Sequence, residues 1–119
     1  MKQLRFVAAA GLVILAFIAS AAEQKGAAQQ SVTGEIVDTH CYLSRGAHGE
    51  EHAECGNACL SRDVPAALLS DDGTLYLLLS ERSVSVKDKV AGKAGKKVTA
   101  HGKVVERNGW KAIQVTSID

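Results

Sequence analysis

"KKVTAHGKVVERNGWKAIQVTSI", residues 96–118, decides the fold class. Val98, Ala100, Gly102 and Val104 alternate with Thr99, His101 and Lys103, the period of a strand with one face turned inward. Asn108-Gly109 tolerates the positive φ values of a type I′ turn, so the chain is expected to reverse there into "WKAIQVTSI". The stretch reads as a β-hairpin.

Working outward, "AALLS", "DDG" and "TLYLLLS" (66–80) repeat the pattern as two strands around an Asp-Gly turn. "SVTGEIVDT" (31–39) carries Val32, Ile36 and Val37 among β-formers and reads as the first strand. Between them, "GEEHAECGNACLSR" (49–62) has helix-forming residues, acids near its start and Arg62 near its end, as a helix dipole prefers. Gly56 and Asn57 weaken that helix, and Pro65 closes it. Residues 81–92 read as a short helix and a loop. The expected fold is mainly β: a small OB-like five-stranded barrel, partly open, or a rolled antiparallel sheet, with a helix inserted after strand 1. The usual OB arrangement puts its helix between strands three and four, so a different rolled sheet stays open.

The N-terminus reads as a targeting segment. Lys2 and Arg5 precede the uncharged run "FVAAAGLVILAFIAS", and Ala19 and Ala21 form an A-x-A cleavage pattern. Residues 1–21 are therefore expected to be a signal peptide, 22–31 a flexible lead-in, and 32–119 a single OB-like domain carrying the Cys/His cluster. The apolar run is short for a bilayer span, so no stable membrane span is expected after cleavage. The expected location is periplasmic or secreted.

Removing Lys2 and Arg5 takes the formal charge from +1 to −1, which gives no electrostatic case for nucleic acid as a partner. Tyr42, Tyr76 and Trp110 are the aromatics left after maturation, thin material for stacking on bases. The lysine-rich run "KDKVAGKAGKK" (87–97) is most simply a solvated face. A mature domain of about 98 residues buries a modest core and gains from a metal or a disulfide.

That leads to "HCYLSRGAHGEEHAECGNACL" (40–60), which holds all three cysteines and three of the four histidines. If residues 48–60 were helical, His48, His52, Cys55 and Cys59 would share one face at spacings of 4, 3 and 4. Cys41, just after the first strand, would approach that face from the other side. The expected ligand set is Cys41, His52, Cys55 and Cys59, with His48 and His40 in reserve. Three thiolates and an imidazole suit a zinc or copper ion. Asp38 is either a cap at the strand end or a carboxylate that orients a liganding histidine. "CGNAC" is C-x3-C, unlike the C-x2-C of common zinc fingers. The competing reading is one disulfide, Cys41 to Cys55 or Cys59, beside a spare thiol.

"VTGEIVD-x-x-CY", "H-x2-C-x3-C", "DDG-x-LYLLL" and "AGKKVTAHGKVVERNGWKAIQV" together resemble a group of small exported bacterial proteins of uncharacterised function with an OB-like predicted fold. The resemblance covers nearly all of the mature chain. It implies that Cys41, His52, Cys55 and Cys59 act as one unit, and it implies no activity. In neighbouring families a histidine follows the first cysteine more closely, so His48 and His52 compete here for the nitrogen ligand.

Three functions compete. The first is an exported metal-binding domain, structural or metal-handling, whose partners are the metal ion and another periplasmic protein. The second is an OB-type ligand-binding module in which Lys96, Lys97, Lys103 and Trp110 meet a ligand while the cysteines brace the fold. The third is a thiol enzyme using Cys55 or Cys59. No nucleophile–base pair, Walker loop or dinucleotide fingerprint is present, so no catalytic residue is assigned and a non-enzymatic role is expected.

Overall fold

The computed structural model describes residues 28–119. The expected signal peptide and the expected lead-in up to residue 27 lie outside them. Five strands form a closed barrel: β1 (Gln29–Asp38), β2 (Ala66–Ser70), β3 (Leu75–Ser80), β4 (Lys97–Arg107) and β5 (Trp110–Ile118). Around the ring the order is β1-β2-β3-β5-β4, and β4 returns to β1. The barrel is closed rather than partly open. It is also mixed rather than purely antiparallel, because β3 and β5 run parallel. A closed ring of five strands cannot alternate in direction throughout, so one neighbouring pair has to run parallel.

The β4–β5 hairpin turns at Asn108 and Gly109, with φ of 51° and 82°, as a type I′ turn requires. Val98, Ala100 and Gly102 of β4 face Ile113 and Val115 of β5 in the core, while Thr99, His101 and Lys103 face outward. Gly102 sits at a register shift, where a Cβ would run into the Gln114 carbonyl. The β2–β3 turn is fastened by Asp72, which accepts from Ser70 Oγ at 2.5 Å and from the Thr74 amide at 2.9 Å.

β1 is the long coiled strand that closes the ring. Gln29 to Glu35 pair with β4 and Gly34 to Asp38 with β2, so Gly34 and Glu35 serve both neighbours. A Cβ on Gly34 would collide with the Leu69 backbone. β1 begins at Gln29, so the end of the expected lead-in already belongs to the barrel.

Among the described residues, three helices decorate the barrel: α1 (Thr39–Arg45), α2 (Ala53–Ser61) and α3 (Lys87–Val90). A 3-10 turn, Glu50–His52, leads into α2. Leu60 of α2 and Val90 of α3 are buried in the same core as Ile36, Leu68 and Ile113. α1 is the element that the sequence pattern did not announce. It follows β1 directly, capped by the Asp38 side chain at its start and by Gly46 (φ 69°) at its end.

Candidate metal centre

Because α1 starts where β1 stops, Cys41 lands in the first turn of a helix and is buried against the barrel. α2 brings Cys55 and Cys59, one turn apart, to the same place. The Sγ atoms of Cys41, Cys55 and Cys59 all lie within 4.8 Å of one another. All three are unbridged. Cys41 is buried, Cys59 half-buried and Cys55 exposed. This group can hold a metal ion: three soft donors converge with one edge open to solvent.

A second group shares Cys41. Ligand atoms of Asp38, Cys41 and His52 also lie within 4.8 Å of one another. Asp38 is 1% exposed and spends both oxygens: Oδ1 accepts from the Cys41 amide at 2.8 Å, and Oδ2 lies 3.1 Å from His52 Nε2. Burial pushes the Asp38 carboxyl up, but the Cys41 amide and the His52 ring outweigh it and hold the group below its ordinary value. The carboxylate is therefore ionised and only accepts, so the hydrogen between the two groups sits on Nε2. The Cys41 thiol is pushed up to about 11, first by burial and then by the neighbouring Asp38 carboxylate, with Arg45 pulling the other way. Without a metal, Cys41 is a neutral thiol.

Two residues that looked unfavourable for a helix place α2. Gly56 is pressed so closely on residue 94 that a Cβ would sit 2.9 Å from Ala94 Cβ. Asn57 Oδ1 accepts from the Ala94 amide at 3.1 Å. The segment carrying Ala94 is itself tied to β1, since Gly95 N–H donates to the Ile36 carbonyl at 2.9 Å. Thus α2 is docked on the same strand that delivers Asp38 and Cys41.

The reserve histidines stand apart. The helical register expected from His48 begins only at Glu50, because Gly46 and Gly49 take φ of 69° and 82° and break the path between α1 and the 3-10 turn. His48 donates from Nδ1 to Glu35 Oε2 at 3.2 Å, and its ring packs edge-on against Tyr42. His40 is exposed on α1, outside both groups. Arg45 went unnoticed in the sequence, yet it donates to Cys41 Sγ at 3.2 Å. The i, i+4 spacing of Cys41 and Arg45 would have shown this had α1 been foreseen.

The four residues considered for an organic ligand are not gathered. Lys97 opens β4 and Trp110 faces Arg107 at its far end, so an 11-residue strand of roughly 33 Å separates them. Lys97 Nζ is paired with Asp71 at 2.7 Å, Lys96 is exposed beside it, and Lys103 points into a separate polar cleft with Gln29, Glu81 and Gln114. His101 bridges Ser31 Oγ and Asp119 Oδ2, each at 2.8 Å, away from the cysteines.

No family model, curated protein or solved structure matches the chain. Among the described residues, no helix is long and apolar enough to cross a membrane. The site is therefore read on its own chemistry.

Proposed function

We propose that this protein is an exported metal-binding domain that holds one zinc or copper ion through the thiolates of Cys41, Cys55 and Cys59. The convergence of the three Sγ atoms within 4.8 Å carries this reading. His52 is the nitrogen nearest at hand for a metal that demands a fourth donor, with Asp38 orienting its ring as a carboxylate behind a metal-bound imidazole does. The third cysteine is then a ligand rather than a leftover. The role is structural or metal-handling, in the periplasm or outside the cell, and the basic N-terminus, apolar run and A-x-A pattern support export.

The test is native mass spectrometry of protein recovered from its own compartment, with thiols counted on the same sample. A mature chain beginning at Ala22 or Glu23, one metal per chain, and metal lost in each of Cys41→Ser, Cys55→Ser and Cys59→Ser are expected. A metal-free protein that takes up none after gentle reduction and carries a Cys41 disulfide would refute it. One observation favours the ligand-binding alternative in that event. A cleft of about 660 Å³ lies between the end of α2, β3 and α3, lined by Leu60, Leu79, Val84 and Val86.

A further inference from the structure

We propose that the ion this site takes is Cu(I), held by the three thiolates alone and open to exchange on the Cys55 side; this rests on the metal-binding reading above. Three features point there. First, the atoms that converge are three sulphurs, and His52 belongs to a different group that excludes Cys55 and Cys59. Structural zinc is almost always four-coordinate, whereas a soft monovalent ion is satisfied by few thiolates.

Second, His52 is already committed. Its Nε2–H is on Asp38 Oδ2, and the other oxygen of that carboxylate is taken by the Cys41 amide. His52 lies near Cys41 alone among the sulphurs, and drawing its ring towards all three would pull at the bond to a carboxylate that is 1% exposed. His52 is thus a positioning residue: it holds Asp38, which caps α1 and sets Cys41.

Third, the surroundings leave the complex accessible and offset part of its charge. Cu(I) displaces three thiol protons to solvent and leaves a complex of charge −2. The Arg45 guanidinium, 3.2 Å from Cys41 Sγ, and the N-terminal turn of α2 beside Cys55 favour negative charge there and work against the Asp38 carboxylate beside Cys41. Cys41 is buried and anchors the ion, while Cys55 is exposed, so an incoming donor thiol reaches the metal from that side.

The experiment titrates the reduced, full mature chain anaerobically with Cu(I) against a chromogenic Cu(I) chelator, and separately with Zn(II) and Co(II). One Cu(I) per chain is expected, with copper-edge X-ray absorption fitted by three sulphurs and no nitrogen. His52→Ala should cost no more than the roughly 10–100-fold of an outer partner, and Cys55→Ser should cost more than that. Added chelator should remove copper at a rate that rises with chelator concentration. A nitrogen in the copper shell, or a His52→Ala loss equal to that of Cys55→Ser, would overturn the three-sulphur assignment while leaving a metal site standing. Failure of all three metals to bind the reduced chain would remove the metal reading itself. Cys55→Ser, being an exposed substitution, separates lost binding from lost folding.

Discussion

At the scale of single residues, Asp38 couples the barrel to the cysteines with one carboxylate. It caps α1 through the Cys41 amide and holds His52 at 3.1 Å, so one side chain sets the direction of two candidate metal-site residues. Asp38→Ala removes a helix cap and leaves a half-buried imidazole N–H without a partner. A loss of about 2–4 kcal/mol in urea unfolding of the metal-free protein is expected. Cys41 makes a pH prediction. Its folded value of about 11 lies above the ordinary 9.0, so between those limits the native state keeps a proton that the unfolded chain has lost. Its contribution to stability is whole below pH 9 and is lost as pH rises towards 11. Metal-free protein should therefore weaken in that window, and Cys41→Ala should abolish that part of the alkaline fall. The same burial orders thiol reactivity at pH 8: iodoacetamide should label Cys55 first and Cys41 last, read by peptide mass spectrometry.

Among elements, the hairpins were legible because their information is local. Asn108-Gly109 and Asp72-Gly73 carry the turn chemistry, and Val98 to Val104 carry the alternation; none of these depends on a distant contact. α1 was hidden because seven residues containing one buried cysteine and an exposed Leu43 show no apolar stripe. The cysteine convergence was legible from the spacing of Cys55 and Cys59. The placement of His48 was not, because it turns on the positive φ of Gly49, which spacing does not reveal. Gly56 and Asn57 weakened the expected helix because their gain lies in tertiary contact with Ala94. Gly56→Ala tests this directly. Helix propensity alone would reward it by about 1 kcal/mol. With its Cβ 2.9 Å from Ala94 Cβ, it should instead destabilise the fold and weaken metal binding as α2 is pushed off. Gly56→Ala with Ala94→Gly should recover both, measured by thermal unfolding and metal titration.

For the whole molecule, the candidate metal centre ties together elements of a barrel with a modest core. The core is built largely of small and medium side chains, with Ile36, Leu68, Ile113 and Val90 the largest fully buried apolar ones. A domain of this size therefore has little excess stability. The three cysteines join α1, which continues β1, to α2, whose Leu60 caps the core. A metal binding the native arrangement and not the unfolded chain must stabilise the entire barrel, by about 2.7 kcal/mol at a hundred times the dissociation constant. For a domain of this length that corresponds to a rise in Tm of roughly 10–20 °C. The rise should grow with the logarithm of free metal and appear equally in far-ultraviolet circular dichroism and in Trp110 fluorescence, since one cooperative unit is being held. Cys55→Ser should fold with nearly the wild-type metal-free Tm, because that side chain is exposed, and should lose most of the rise. Cys41→Ser should start lower as well, because it puts a hydroxyl in a buried thiol position. A metal-dependent Tm rise that survives intact in Cys55→Ser would mean the ion stabilises the barrel from somewhere other than the three-sulphur face.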